Sequence, residues 1–368
     1  MHLLFVIDNL NTGGAQRQMV NLALGLRQRK HSIDFFCYYP ENLLAGPLLD
    51  AKIPVFAYAK KGRFSPGVIL ALRNQIKNGQ YDVVLSFLDT PNFYNIVTSH
   101  LLLKRPRIVV SERLADPPGG SGKAIFLLRQ FFRFADQVVI NSSHHSVNLL
   151  KKYPWLNGHT TTIYNGYDLD FFHPPSVEPD NHLLKLLCVA RTEARKNGLC
   201  VIEALSILRT KYQLFPIVDW AGQKTPPYQQ QMEESIASHG LQNQWNWLGQ
   251  RTDIVPLLQQ HDALIHASYL EGLPNAVCEA LACGRPVIVS DAMDHPTLVQ
   301  NGENGFLFDW RNPEKLADAI WNFSQLSVEQ RHEMGMRGRL YAEKNLALTH
   351  FTDQYEHLFA SLITKNNP

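Results

Sequence analysis

The sequence lacks the features that mark membrane-spanning, nucleic-acid-binding and disulfide-stabilised proteins. No apolar run reaches the roughly 20 residues that a transmembrane helix needs, and the formal net charge is only +2 over 368 residues. The five cysteines form no Cys-x-x-Cys pair and no Cys/His ligand spacing, which indicates free thiols in a reducing compartment. The first apolar run, within Met1–Asp8, is too short for a signal peptide. We therefore expect a cytoplasmic protein.

Charge is divided unevenly along the chain. The first 180 residues carry 19 Lys and Arg against 13 Asp and Glu, whereas the remainder carries 16 against 20. A basic first half favours an anionic partner, such as a membrane surface or a pyrophosphate-bearing acceptor. Scattered surface lysines are an equally weighted alternative, because a charge excess alone does not define a surface.

Apolar strand-like runs alternate with helical periods along the whole chain, a pattern typical of parallel sheets with crossover helices. In the first half the predicted strands are Leu3–Asp8, Ser32–Tyr38, Asp82–Ser86, Arg107–Ser111, Asp136–Ile140 and Thr161–Tyr164. In the second half they are Lys185–Ala190, Pro216–Trp220, Trp245–Leu248, Ala263–His266, Pro286–Ser290 and Gly305–Phe308. The proline-rich segment 173–182 between the two series is the predicted linker, so we expect two domains.

The most informative segment is Ser268–Ser290, which contains two glutamates eight positions apart, Glu271 and Glu279, around a Gly-Leu-Pro-Asn turn. The turn predicts a helix start, because Pro274 suits the first helical turn and the first N–H groups of a helix form an anion site. Glu279 can accept two ribose hydroxyls, and Glu271 can reach a sugar hydroxyl or a developing positive charge. An ordinary crossover helix with solvated glutamates is the alternative.

Two cations, Arg191 and Lys196, follow the first predicted strand of the second half in the string Val-Ala-Arg-Thr-Glu-Ala-Arg-Lys-Asn-Gly. Cations at a strand end opposite a helix N-terminus suit a leaving diphosphate, whose negative charge grows as its bond to the sugar breaks. A loop with surface charges is the alternative. The pair and the two glutamates downstream together favour a nucleotide-sugar site.

These motifs resemble those of retaining GT-B glycosyltransferases, most closely family 4 with its EX7E signature, and the resemblance is densest from Val189 to Phe308. It implies an α/β fold of two Rossmann-like, doubly wound domains facing a central cleft. The implied acceptor-binding domain comprises residues 1–174 with a C-terminal helix at 349–365. The implied donor-binding domain comprises residues 183–348.

The resemblance also implies roles for individual residues. Arg191 and Lys196 would hold the donor diphosphate, Glu279 the ribose and Glu271 the transferred sugar. Further donor contacts are implied at Gly13, Gly14, Arg251, Leu273, Pro274, Asn275 and Ala276. The implied catalytic set is Glu271, Arg191 and Lys196, with Glu112 added for the reason that follows.

The chain departs from the family after the fourth strand of the first domain, where many members carry a histidine close to the reacting carbon. Here the residues are Glu112 and Arg113. Glu112 would receive the acceptor proton or Arg113 would hold an acceptor phosphate; a structural ion pair of the two is the equally weighted alternative. Asp168 and Asp170 form an Asp-x-Asp string within the hinge motif, which we interpret as structural, so we predict no metal site.

The segment from Lys123 to Phe134 has an amphipathic helical pattern. At 100° per residue its apolar residues other than Phe126 fall on one arc. Lys123, Arg129 and Arg133 fall on the opposite arc, with Phe126 among them. A basic, aromatic-rich helix of this kind can lie on an anionic membrane. The alternative, which we favour slightly, is a crossover helix packed on the core.

The function that the resemblance implies is retaining, metal-independent transfer of a hexosyl group from a nucleotide sugar. A UDP-sugar is favoured and a GDP-sugar is possible, with no tightly bound cofactor. The expected acceptor is a glycan or lipid-linked glycan in the synthesis of a surface polysaccharide such as lipopolysaccharide or capsule. We expect peripheral contact with the inner membrane and no nucleic acid. The alternatives are a sugar-nucleotide epimerase of the same fold, a non-catalytic sugar-nucleotide binder and a two-domain solute-binding protein.

Overall fold

The computed structural model describes residues 1–11, 13–39, 42–62, 65–113, 122–177 and 183–364. The chain forms two compact units, one containing residues 1–166 and the C-terminal segment from Leu348, the other containing Tyr167–Ala347. Each unit is built on one parallel sheet with crossover helices. The predicted α/β class with two Rossmann-like sheets is therefore confirmed.

The first unit has a seven-stranded sheet in the order β3-β2-β1-β4-β5-β6-β7. Its elements up to residue 166 are β1 His2–Ile7, α1 Gly14–Gln28, β2 Ser32–Cys37, α2 Ala45–Asp50, β3 Val55–Ala57, α3 Pro66–Gly79, β4 Val83–Phe87, α4 Asp89–His100, β5 Arg107–Glu112, α5 Gly122–Gln130, β6 Gln137–Ile140, α6 Ser143–Lys152 and β7 Thr160–Thr162. The six predicted strands are present. The sequence pattern missed β3, a three-residue edge strand whose side chains are partly exposed, because no buried apolar run marks it.

The second unit has a six-stranded sheet in the order β10-β9-β8-β11-β12-β13. Its elements are β8 Lys185–Val189, α7 Gly198–Lys211, β9 Ile217–Ala221, α8 Tyr228–Ser238, β10 Trp245–Gly249, α9 Ile254–Gln260, β11 Ala263–His266, α10 Asn275–Ala282, β12 Val287–Ser290, α11 His295–Leu298, β13 Gly305–Phe308, α12 Pro313–Ser324 and α13 Val328–Asn345. All six strands predicted here are present. Buried apolar side chains of β8, β9 and α7 form much of its core, including Leu186, Val218 and Leu205, as expected for strands covered on both faces.

The last helix, α14 (Leu348–Thr364), belongs to the first unit. One face of it, formed by Phe351, Tyr355 and Phe359, is buried in the same core cluster as Leu22 and Leu26 of α1. Burial of large aromatic side chains is the main energy that attaches a terminal helix. The helix therefore completes the core of the unit that contains the first 166 residues.

The connection from α10 to β12 depends on two glycines. Gly284 has a φ of +63°, a left-handed conformation that glycine adopts without steric cost. Gly335 of α13 lies so close that a Cβ atom there would be 2.0 Å from the Gly284 carbonyl oxygen. The guanidinium of Arg339 then donates from Nη1 to the Ala282 carbonyl at 2.7 Å, a favourable place for a cation because the C-terminal carbonyls of a helix carry partial negative charge. These contacts fix the end of the helix that follows Glu271.

The predicted helix over Lys123–Phe134 differs from the structure. Helix α5 ends at Gln130, and a 3₁₀ turn covers Phe131–Phe134. The predicted sides are also reversed for part of the segment: Leu127 of the predicted apolar arc is 61% exposed, whereas Arg129 of the predicted polar arc is 2% exposed. Phe126, which was predicted on the polar arc, is 44% exposed. The physical reason is an ion pair between Arg129 and Glu112 inside the unit, which the helical pattern alone does not reveal. Lys123 and Arg133 are exposed as expected.

Candidate active site

Three site residues come together because β8 and β11 are neighbouring parallel strands, paired through Ala263 and Leu186. Arg191 follows the end of β8, and Lys196 closes a 3₁₀ turn five residues later. Glu271 follows the end of β11. The carboxyl ends of parallel strands lie at one edge of a sheet, where ligands bind in open α/β folds. The topology thus places the predicted cations and the first predicted glutamate at the same edge.

Glu271 is the centre of a network of donors. Its carboxylate forms an ion pair with the Lys196 ammonium, accepts from Ser268 Oγ at 2.7 Å and contacts Arg195 Nη1 at 3.4 Å. Its side chain is 11% exposed and that of Lys196 is 13% exposed. Burial alone would raise the pKa of Glu271, but Lys196 and the neighbouring His266 hold it well below its ordinary value. Glu271 is therefore ionised and held in one orientation.

A second carboxylate, Glu193, bridges two guanidinium groups on the loop after β8. Arg191 Nη2 lies 2.9 Å from Glu193 Oε1, and Arg195 Nε lies 2.7 Å from Glu193 Oε2. The Arg191 side chain is 57% exposed and that of Glu193 is 23% exposed. Ion pairs this exposed are weak. The Arg191 guanidinium can accordingly exchange Glu193 for another anion at small energetic cost.

Two buried histidines lie behind Glu271. His266 Nε2 is 3.3 Å from Glu271 Oε1, and the rings of His266 and His295 are 5.3 Å apart, edge to face. Burial lowers the pKa of both, to about 3 for His295. Both rings are therefore neutral near pH 7, and a neutral His266 that hydrogen-bonds a carboxylate through Nε2 must carry its proton there. His295 Nδ1 is 2.8 Å from Ser290 Oγ.

Helix α10 begins four residues after Glu271. Pro274 is the residue before the helix, and Asn275 is its first residue. The Pro274 carbonyl accepts from the N–H groups of Val277 and Cys278 at 3.1 and 3.2 Å. Asn275 Oδ1 accepts from the buried Tyr167 hydroxyl at 2.6 Å. A hinge residue thus fixes the first side chain of the helix, a contact that the sequence did not predict.

The remaining residues of the predicted donor site in the second unit lie in or next to two elements, α10 and β10. Leu273 is buried and Ala276 half-buried at the start of α10, and Glu279 is buried one turn inside it. Arg251 follows β10, two strands away from β8, which corresponds to about 10 Å across the sheet. Its guanidinium forms a two-point contact with the Asp253 carboxylate. Arg251 therefore lies at the same edge as Arg191 but outside the Glu271 network.

In the first unit, Gly13 and Gly14 follow β1 as predicted and lie at the start of α1. Gly13 precedes the helix with a φ of −102°, and Gly14 is the first helical residue. A Cβ atom at Gly13 would be 1.9 Å from Gln16 Oε1, so a larger residue would have to displace that side chain. Thr12 lies outside the described residues. The loop leaves backbone at a helix start accessible to a ligand, as its glycines suggest.

Glu112 and Arg113 at the end of β5 are both buried, and each has a different partner from the one considered in the sequence. Glu112 Oε2 is 2.9 Å from Arg129 Nε. Arg113 donates from Nη1 to Asn165 Oδ1 at 2.6 Å and from Nη2 to the Tyr355 hydroxyl at 2.9 Å. The ion pair of Glu112 therefore involves Arg129 rather than Arg113. Arg113 connects β5 to the hinge motif and to α14.

Asp168 of the Asp-x-Asp string accepts hydrogen bonds from the backbone that follows it. Asp168 Oδ1 accepts from the N–H groups of Asp170 and Phe171 at 3.0 and 3.3 Å, which is the hydrogen bonding of an Asx turn. Within the described residues, no group of three or more His, Cys, Asp or Glu side chains is arranged to hold a metal ion. Within the same residues, no helix has both the length and the apolar character to cross a membrane.

Sequence reasoning missed Glu193, Arg195, His266, Ser268 and His295. Two of them could have been found: Arg195 directly precedes Lys196, and Ser268 is a polar residue just after a buried strand, where ligands bind. The role of His295 could not be anticipated, because its proximity to His266 arises from pairing of β11 with β12. Glu193 has the sequence context of an ordinary loop carboxylate, and only the fold places two guanidinium partners beside it.

Comparison with solved structures defines the fold. HepE of Anabaena, solved in complex with UDP and glucose, has the same fold with a TM-score of 0.85 at 19% identity, covering 98% of this chain and 100% of that one. A glycosyltransferase from Rickettsia africae gives a TM-score of 0.84 at 19% identity, covering 100% of this chain and 99% of that one. The fold is thus that of GT-B glycosyltransferases.

The family follows from the sequence matches. Residues 12–171 match the family described as Glycosyltransferase Family 4, and residues 172–341 match Glycosyl transferases group 1. The chain belongs to this family of glycosyltransferases. One relative, the N,N'-diacetylbacillosaminyl-diphospho-undecaprenol alpha-1,3-N-acetylgalactosaminyltransferase of Campylobacter jejuni, is 25% identical over 80% of this chain and 82% of its own length. The putative glycosyltransferase EpsF of Bacillus subtilis is 25% identical over 79% of each chain.

Proposed function

We propose that this protein is a retaining glycosyltransferase that transfers a hexosyl group from a nucleotide sugar to a glycan or lipid-linked glycan. We further propose that it needs no metal ion and that the donor is a UDP-sugar. The observation that carries the proposal is the cation network at the carboxyl edge of β8 and β11. Three cations, Arg191, Arg195 and Lys196, lie there with two carboxylates, beside the start of α10.

The leaving group explains why cations are needed. When the bond between sugar and diphosphate breaks, negative charge develops on the diphosphate. Arg191 and Lys196 and the N–H groups at the start of α10 can stabilise that charge without a metal ion. Because Lys196 is held by Glu271, its ammonium is oriented before the reaction and little reorganisation is required.

The acidic groups have separate roles in this proposal. Glu271 is ionised and faces Lys196, so it can accept from a sugar hydroxyl and stabilise positive charge on the sugar carbon. Glu279, one turn inside α10, is the proposed acceptor for the ribose hydroxyls. Glu112 forms an ion pair with the buried Arg129, so we assign no proton transfer to Glu112. Instead, the departing diphosphate takes the proton from the acceptor hydroxyl on the same face of the sugar.

The comparisons support the choice of donor and acceptor. HepE has been solved with UDP and with UDP-glucose, which supports a UDP-sugar for this chain. The Campylobacter jejuni relative carries a diphospho-undecaprenol acceptor in its name, and two WcaL relatives are named for colanic acid biosynthesis. We infer a glycan or lipid-linked glycan acceptor in surface polysaccharide synthesis. Contact with the inner membrane follows from that acceptor as a further part of the proposal.

Slow donor hydrolysis tests the reaction directly, because water replaces the acceptor and the acceptor need not be identified. We expect release of nucleoside diphosphate from one UDP-sugar in a small panel, unaffected by EDTA, with the first-formed sugar in the anomeric configuration of the donor by NMR. The Glu271→Gln variant should bind UDP but lose release. Inversion of the anomer would contradict the retaining mechanism, and isomerised nucleotide sugar in place of free diphosphate would identify an epimerase.

A further inference from the structure

A basic pocket of about 330 Å³ lies at the amino-terminal edge of the first unit's sheet. Lys104, Arg105 and Arg107 line it, with Asp82 on one side. Arg107 is the first residue of β5 and Glu112 the last, so about 17 Å of strand separates the pocket from the carboxyl edge of the sheet. The pocket is therefore distinct from the edge that carries Gly13, Gly14 and Glu112.

One carboxylate serves two of the three cations. Asp136 Oδ2 is 2.7 Å from Arg105 Nη1 and Oδ1 is 3.2 Å from Arg107 Nη1. Oδ2 also accepts from the backbone N–H of Ile108 at 2.8 Å. The second carboxylate, Asp82, accepts from the backbone N–H of His2 at 2.7 Å. Asp136 is thus already shared among several donors, and the cations outnumber the carboxylates.

Two donors at the pocket lack a partner in the part of the chain that the structure describes. Arg107 Nη2 is buried and makes no hydrogen bond there. Lys104 is exposed and forms no ion pair with a described residue. A buried guanidinium N–H without an acceptor is unfavourable, because it has lost water and gained nothing. Arg107 lines the pocket and its side chain is 18% exposed, so a small movement of its guanidinium would let an anion in the pocket supply the missing acceptor.

We propose that Lys104, Arg105 and Arg107 form a second anion site, which binds a phosphate group. A phosphate offers several acceptor oxygens in a small volume, so one group can serve Arg107 Nη2 and the Lys104 ammonium together while Asp136 keeps its contacts. The phosphate can be free or part of a phospholipid headgroup. Leu101 and Leu103, which lie three residues and one residue before Lys104, are 55% and 110% exposed, so a lipid headgroup is one of the two phosphate sources that the experiment distinguishes. The inference does not depend on the proposed donor site.

The experiment titrates inorganic phosphate into the full chain by calorimetry, in chloride buffer at constant ionic strength. The Arg191→Met background is used throughout, so that phosphate binding by the donor site is weakened and is the same in every variant compared. Arg107→Gln and Lys104→Gln are compared with Lys61→Gln, which removes one exposed positive charge elsewhere in the first unit. Because Lys104 is exposed, we expect Lys104→Gln to fold, and it tests the proposal even if Arg107→Gln does not fold. A parallel series measures co-sedimentation with phosphatidylcholine vesicles with and without phosphatidylglycerol.

We expect one phosphate site in the background protein, weakened about tenfold by Arg107→Gln and several-fold by Lys104→Gln, and unchanged by Lys61→Gln. Sedimentation with phosphatidylglycerol that falls in both pocket variants would assign the phosphate to a lipid headgroup. Sedimentation that is equal in all variants, with phosphate binding retained, would assign it to a free phosphate. Equal phosphate affinity in all four proteins, or no binding in any, would overturn the proposal.

Discussion

Replacement of Arg191 and Lys196, one at a time, separates catalysis from stability because the two cations differ in burial. Lys196 is 13% exposed and paired with the 11% exposed Glu271. Removal of one partner from a buried pair costs roughly 3–5 kcal/mol of unfolding free energy. Glu271 keeps Arg195, Ser268 and His266 as donors, so we expect about 1–3 kcal/mol for Lys196→Met. Arg191 is 57% exposed, and its loss should change stability by less than about 0.5 kcal/mol.

The effect on the reaction should be similar for both variants. Loss of one group that stabilises a developing anion typically lowers turnover by roughly 100- to 1000-fold. We expect a decrease in this range for Arg191→Met and Lys196→Met, measured as release of nucleoside diphosphate during donor hydrolysis. Stability is measured by urea unfolding of the same samples. Lys224→Met, which removes a cation paired with Glu233 in the same unit, serves as the control and should change neither quantity appreciably.

Arg191→Met gives the decisive result, because its fold should be intact. A variant with unchanged stability and turnover within a few-fold of the parent protein would refute the assignment of Arg191 to the diphosphate. A loss of turnover in Lys196→Met that only follows the unfolded fraction would likewise show that Lys196 acts on stability alone.

Three further predictions concern the carboxylates and the buried histidines. Glu279→Gln should weaken UDP binding about 10- to 100-fold by calorimetry, since it replaces charged hydrogen bonds to the ribose; unchanged affinity would remove Glu279 from the site. Glu193→Gln should tighten UDP binding a few-fold, because Glu193 competes with the diphosphate for Arg191 and Arg195. The control Glu233→Gln, at an exposed position, should leave UDP binding unchanged. Weaker UDP binding by Glu193→Gln would mean that Glu193 positions these cations instead. Burial lowers the pKa of His295 to about 3 in the folded protein, below the ordinary value of 6.5. As the pH drops below about 6.5, His295 therefore takes up a proton in the unfolded chain but not in the folded one. The free energy of unfolding should then fall by up to about 1.4 kcal/mol per pH unit for this group. His295→Gln should make that dependence shallower by urea unfolding at pH 4.5 to 7.5, and an unchanged slope would show that His295 does not titrate as described.

Most of the fold could be predicted from the sequence because buried parallel strands are marked by local apolar runs. All twelve predicted strands are present. The edge strand β3 carries no such run, and its existence depends on pairing with Phe35, Phe36 and Cys37 of β2. Such pairing is a tertiary contact, which a local pattern does not report.

The candidate site was predictable in part for a related reason. Arg191, Lys196 and Glu271 each follow a strand, and parallel strands bring their ends together, so their proximity could be expected. The partners that determine the charge state of these side chains could not be predicted from the sequence in the same way. Arg129 shows the limit most clearly: its helical position suggested an outward side chain, but the buried carboxylate of Glu112 holds it inside. A non-local ion pair outweighed the amphipathic pattern of the helix.

Calorimetric titration of UDP, GDP and ADP into the purified protein, with and without EDTA, tests the central claim most directly. The proposed site predicts binding of one nucleoside diphosphate, UDP, with an affinity that EDTA does not change and that Arg191→Met reduces. Binding that requires a divalent metal ion would contradict the proposal that Arg191 and Lys196 hold the diphosphate without a metal ion. Absence of binding by all three nucleotides would contradict the assignment of the β8–β11 edge as a donor site.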